Sequence, residues 1–119
     1  MFTSGRWHTK GRPVVYKSGS LALAALEMLV HVDKSMLPSD LVKIEVDIPD
    51  SLTIQRIDAA TLPKNWQSYP APPSLQRRGD DWLTSASAPV LQVPSSVIPE
   101  EFNLLINPQH AEATRITVV

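Results

Sequence analysis

Gly19-Ser20-Leu21-Ala22-Leu23-Ala24-Ala25-Leu26-Glu27-Met28-Leu29-Val30-His31-Val32 is the stretch on which the fold turns. From Leu21 to Val32 every residue is apolar except Glu27 and His31. Apolar residues all the way round, not in one stripe, predict a helix buried on most sides, with Ser18 or Ser20 as its N-cap. Glu27 and His31 are four apart and so lie on one face, one turn from each other. An ionised carboxylate in such a helix must find donors or take up a proton. At this level Glu27 has two readings. It is a structural acid paired with an arginine, or it lines a pocket and aims its field at a developing positive charge. His31 reads as a core or rim histidine.

Upstream, Thr3 to Pro13 is a polar, glycine-bearing loop that carries Arg6, Lys10 and Arg12 together with Trp7 and His8. It runs into a short strand, Val14-Val15-Tyr16. Arg6 or Arg12 can reach the helix through the fold, and a guanidinium can also grip a phosphate or carboxylate with two parallel hydrogen bonds. A solvated basic loop is the plain alternative. Tyr16 is core, or its ring covers the same pocket.

Downstream, Met36 to Asp40 is a turn. Leu41 to Ile48 alternates, with Val42, Ile44, Val46 and Ile48 on one face of a predicted half-buried strand and the charged Lys43, Glu45 and Asp47 on the other. Leu52 to Ile57 is a second short strand. Leu62 through Pro73 is too proline-rich for helix interior and reads as a surface connection. Ser74 can cap a second helix, Leu75 to about Ala86, in which Leu75, Gly79, Trp82 and Leu83 share a side. A glycine in mid-helix costs about 1 kcal/mol against alanine, so Gly79 points to a close backbone approach. Pro89 to Val93 is a strand, followed by a turn at 94–96, a strand within Glu100–Ile106, and a last strand from Ala113 to Val119. The order strand, helix, two strands, helix, three strands describes an α+β domain dominated by sheet.

Composition narrows the chemistry. A chain of 119 residues with 43% hydrophobic and 19% charged side chains is a single globular domain, and its net charge of −1 gives no general reason to bind nucleic acid or anionic membrane. Cysteine is absent, which removes disulfides and thiolate metal sites and suits the cytoplasm. The first residues are no signal peptide, and the longest apolar run falls short of the ~20 residues of a spanning helix. The glycines at 5, 11, 19 and 79 fit neither a P-loop nor a dinucleotide fingerprint. The histidines at 8, 31 and 110 lack zinc spacing, and no Gly-x-Ser-x-Gly elbow occurs. No metal is expected.

Four spaced blocks then carry a resemblance: Gly5-Arg6-Trp7-His8, Gly11-Arg-Pro-Val-Val-Tyr16, Leu21 to His31 around Glu27, and Val93-Pro-Ser95 followed by Asn103 to Pro108. They resemble the RES domain family, named for an Arg, a Glu and a Ser that match Arg6, Glu27 and Ser95 in order and context. The resemblance runs from near residue 4 to near residue 110. It implies an ADP-ribosyltransferase-like fold over 1–119 and a toxin of a bacterial toxin–antitoxin pair. NAD would be consumed as substrate, with no prosthetic group.

The implied reaction breaks the nicotinamide–ribose bond by phosphorolysis or hydrolysis, an NAD phosphorylase or glycohydrolase. Glu27 would stabilise the oxocarbenium-like ribose cation, and Arg6 would hold pyrophosphate or ribose, with Lys10 and Arg12 as further cations. Tyr16 would stack on nicotinamide, and Ser95 would orient Glu27 or the ribose. Transfer of ADP-ribose to a protein is the alternative, and a non-catalytic form that only binds an antitoxin is a third. The expected partner is a helix-turn-helix antitoxin that supplies the DNA binding. Family members usually carry a few tens of residues before Gly-Arg-Trp, so the chain reads as an N-terminally short form whose open sheet edge favours homo-oligomers.

Overall fold

A computed structural model describes residues 6–9, 11, 13–31 and 43–119, with the main chain only for His31. Lys10 and Arg12, the turn read at 36–40 and the first two positions of the strand read at 41–48 lie outside the described residues. The elements are β1 (Val15–Ser18), α1 (Leu21–His31), β2 (Val46–Asp47), β3 (Ile54–Arg56), α2 (Pro73–Ser85), β4 (Val90–Pro94), β5 (Phe102–Ile106) and β6 (Thr117–Val118). Their order is the one read from the sequence. Dominance by sheet is not seen among the described residues, where helices of 11 and 13 residues stand against strands of two to five.

Four strands make one sheet in the order β1-β5-β4-β3, antiparallel except for the parallel β3–β4 pair. β2 and β6 form a separate two-stranded ribbon. Residues paired across neighbouring strands point to the same face. Leu91 pairs with Leu105 and Leu105 with Tyr16, while Val93 pairs with Asn103 and Asn103 with Ser18. Leu91, Val93 and Leu105 belong to the core, so Tyr16, Ser18 and Asn103 stand on the core side of the sheet. Along the Val93–Asn103–Ser18 row that side changes from apolar to polar.

α2 closes this face. Leu75, Gly79, Trp82 and Leu83, the residues predicted to share one side, are all buried, and three of them pack with Trp7, Ile57 and Trp66. Pro72, not Ser74, is the N-cap, and Pro73 opens the helix, where a missing N–H costs nothing. A Cβ on Gly79 would lie 1.5 Å from the Trp7 carbonyl oxygen, so helix and loop touch backbone to backbone there. That contact fixes the segment carrying Arg6.

Three expectations need correction. α1 is not buried on most sides: Leu23 is buried (1% exposed), but Leu21, Leu29 and Val30 are half exposed or more. The helix leaves an edge strand, and only the side bearing Leu23, Leu26 and Glu27 turns inward. The alternating stretch from 43 to 48 pairs only at Val46–Asp47, and Ile44 is exposed. The last strand is shortened to Thr117–Val118, because residues 111–115 coil into a 3₁₀ turn capped by His110, whose Nδ1 accepts from the Glu112 N–H at 3.0 Å.

Candidate active site

The start of α1 is tied to β5. The Gly19 N–H donates to the Phe102 carbonyl at 3.0 Å, and a Cβ on Gly19 would meet the Phe102 ring at 2.8 Å. Ser20 caps the helix, its Oγ accepting from the Leu23 N–H at 3.1 Å and donating to Glu101 Oε1 at 3.2 Å. With that end held, Glu27, one turn beyond Leu23 on the packed side, is delivered to the polar end of the sheet face.

There the carboxylate accepts three hydrogen bonds. Ser18 Oγ donates to Oε1 at 3.2 Å, while Ser95 Oγ and Asn103 Nδ2 both donate to Oε2 at 2.9 Å. Every donor is neutral. Among the described residues Glu27 pairs with no arginine, and the one ion pair within 4.0 Å is Lys43 with Glu45; Arg12, the other arginine considered for it, lies outside the described residues. Ser95 is itself fully buried, and its Oγ accepts from the Val97 and Ile98 N–H groups at 3.1 and 3.2 Å. Those two bonds occupy its lone pairs and aim its proton at Glu27.

Arg6 is engaged elsewhere. Its Nη1 donates to the Trp66 carbonyl at 2.8 Å and its Nη2 to the Ser68 carbonyl at 3.1 Å, pinning the proline-rich connection. Partial burial lowers the guanidinium pKa, opposed by Tyr69 and by the Glu27 charge, and arginine stays protonated from so high a starting point. Arg6 lines a cleft of about 500 Å³ together with Val30, Gln67, Tyr69, Ser96 and Val97. Glu27 is not among the lining side chains, but Val30, one turn further along α1, and Ser96, next to Ser95, are. Gln67 Nε2 donates to the Ser96 carbonyl at 3.1 Å and ties the two walls together.

Tyr16 lies two positions from Ser18 on the same face of β1. Its side chain is 40% exposed, yet its hydroxyl meets Nδ1 of the buried His8 at 2.6 Å. Burial of the hydroxyl pushes its pKa up to about 12, with Asp80 adding to the rise and a Trp7 backbone hydrogen bond opposing it. The phenol therefore keeps its proton, and its direction of bonding with Nδ1 follows the tautomer of the imidazole. The His8 segment is held to α2 by Thr9, whose N–H and Oγ1 donate to the two Asp80 carboxylate oxygens at 3.0 and 2.9 Å.

Of the residues singled out in the sequence, Glu27 and Ser95 touch, and Arg6 stands across the cleft within reach of Glu27's field. Tyr16 is adjacent along β1, and Lys10 and Arg12 lie outside the described residues. Asn103 was not among them as a site residue, and Ser18 entered only as a cap. The available signal was a polar residue in each strand at the register of the core face. No group of three His, Asp or Glu side chains among the described residues is placed to share a metal ion. No described helix is long and apolar enough to cross a membrane.

Comparison with known proteins bears on this arrangement. A family model described as RES domain matches residues 1–119. A protein of Yersinia enterocolitica named Toxin Res is 42% identical over 106 residues, covering 89% of this chain and 69% of that one. A Sphingobium protein named Prs ADP-ribosylating toxin is 39% identical over 117 residues, 96% of this chain and 72% of that one. A Pseudomonas putida protein also named Toxin Res is 39% identical over 113 residues, 92% and 74% of the two chains.

Proposed function

The chain belongs to the RES domain family, and we propose that it is a toxin that consumes NAD by breaking the nicotinamide–ribose bond. The observation that carries this reading is a carboxylate held by neutral donors, with no counter-ion among the described residues. Ser18, Ser95 and Asn103 donate to Glu27, and Arg6, the described cation of the site, forms no ion pair with it. Two opposite charges kept separate beside one cleft suit a ligand that is anionic at one end and becomes cationic at the other. NAD, with its pyrophosphate and its ribosyl–pyridinium bond, is such a ligand.

In the proposed reaction the C1′–N bond breaks and its electron pair leaves with nicotinamide. C1′ and the ring oxygen share the positive charge, which the fixed field of Glu27 lowers in energy. The carboxylate is already oriented, so no reorganisation is needed as the charge appears. A water oxygen then attacks C1′ and sheds a proton to give ADP-ribose, or a phosphate oxygen attacks to give its 1-phosphate. Arg6 is suited to the pyrophosphate, and the Tyr16 ring to the pyridine.

Transfer of ADP-ribose to a protein shares the first step, and the name of the Sphingobium relative favours keeping it as a second reading. The fold proposed is that of the ADP-ribosyltransferases, as one domain acting in the cytoplasm. A helix-turn-helix antitoxin would cover the cleft and supply the DNA contacts.

Mass spectrometry of NAD incubated with the protein, with and without phosphate, tests the reading. Free nicotinamide with ADP-ribose or its 1-phosphate is expected, and Glu27→Gln should lower the rate on the order of 10²–10³-fold or more with the fold intact. Intact NAD under all conditions, or a fully active Glu27→Gln, would sink it.

A further inference from the structure

Asn103 stands at the junction of core and site, one position along β5 from the Phe102 carbonyl that anchors α1. Its orientation follows from chemistry: an ionised carboxylate offers only acceptors, so the amide turns Nδ2 to Glu27 Oε2, at 2.9 Å. Oδ1 is thereby directed away from Glu27. It is shielded from solvent and has no hydrogen-bond partner, the one such buried side-chain atom among the described residues.

Buried carbonyl-type oxygens are almost always satisfied, and each exception calls for an explanation, a catalytic or binding role among them. Ser95 makes the contrast, with both its lone pairs and its proton used. Asn103 has one half of its amide committed to the carboxylate and the other half buried without a donor.

Resting on the NAD-consuming reading above, we infer that Asn103 is a positioning and specificity residue, in which Nδ2 fixes Glu27 and Oδ1 accepts a hydrogen bond from a ribose hydroxyl beside the reacting carbon. The nicotinamide ribose carries a hydroxyl on C2′, next to C1′, and another on C3′, one carbon further along the ring, and a hydroxyl is the donor such a site lacks. One amide then registers the sugar and the carboxylate against each other, so that C1′ arrives where the field of Glu27 is strongest. The oxygen is shielded in the free protein, so the bond requires the seating sugar to displace the groups that cover it.

The test pairs Asn103→Ala with substrates lacking one donor: NAD, and analogues with the 2′- or the 3′-hydroxyl of the nicotinamide ribose replaced by hydrogen. Loss of the Nδ2 contact slows every substrate. Loss of the Oδ1 contact slows only a substrate that has the matching hydroxyl. The substitution should therefore slow NAD consumption by roughly tenfold or more beyond its effect on one analogue, a ratio in which the analogue's intrinsic reactivity cancels. An equal factor for NAD and both analogues overturns the inference and leaves the NAD-consuming reading standing. Absence of NAD consumption by the wild type overturns both. Should Asn103→Ala fail to fold, the wild type decides: KM for one analogue should rise about tenfold over that for NAD, and equal KM values for all three overturn the inference.

Discussion

Ser95 Oγ donates to Glu27 Oε2 at 2.9 Å while accepting from two backbone N–H groups of its own turn. The hydroxyl is thus a fixed part of the carboxylate's surroundings, oriented by the Val97 and Ile98 amides and not free to rotate. Ser95→Ala removes the donor and leaves both amides without their acceptor. We expect a loss of about 1–3 kcal/mol in unfolding free energy together with a fall in NAD turnover on the order of ten- to a hundredfold. Denaturant titration and a nicotinamide-release assay measure the two. Full activity at reduced stability would make Ser95 a turn residue only.

Arg6 spans two carbonyls with one planar group, which an ammonium on a flexible stem does not reproduce. Arg6→Lys should cost about 1–2 kcal/mol of stability and raise KM for NAD more than it lowers kcat. A lysine variant matching the wild type in both would show that the fork is not used.

Gly79→Ala places a methyl group 1.5 Å from the Trp7 carbonyl oxygen, a backbone atom with little room to yield. The expected cost exceeds about 3 kcal/mol. A drop in thermal midpoint with an unchanged far-ultraviolet dichroism spectrum at low temperature would register it. A variant as stable as the wild type would contradict the packing of α2 on the Arg6–His8 segment.

The Tyr16 hydroxyl, raised to about 12 from 10.0, binds its proton more tightly in the folded chain. The stability this contributes is fully present below pH 10 and is lost as pH rises from 10 towards 12. Unfolding midpoints should therefore be insensitive to Tyr16 through neutral pH and fall in that alkaline window, and Tyr16→Phe should remove that part of the fall. A tyrosinate absorbance step for Tyr16 at its ordinary pH would refute the assignment.

How much of this was legible in the sequence depended on range. The inward side of α2 was, because Leu75, Gly79, Trp82 and Leu83 recur at helical spacing and the glycine marks its own contact. The Leu41–Ile48 alternation misled, because period two reports a willingness to pair, not the presence of a partner. Among the described residues Ile44 has no strand partner, whereas Val46 finds Val118. Glu27 announced itself as a polar residue in an apolar run, but its partners did not, since Ser18 and Asn103 acquire a shared face only through strand register. Asn103 is 76 positions from the acid it holds, a distance over which no local pattern carries information.

That separation also governs when, during synthesis, the acid acquires its setting. Ser95 and Asn103 are 68 and 76 residues downstream of Glu27, and the strand that presents Asn103 pairs on both sides, with β1 and with β4. A ribosome that has delivered α1 has delivered the carboxylate without two of its three donors. Those two join it once β5 has emerged and slotted between its neighbours. The setting of the acid is therefore a product of the assembled sheet, completed after α1 and not with it.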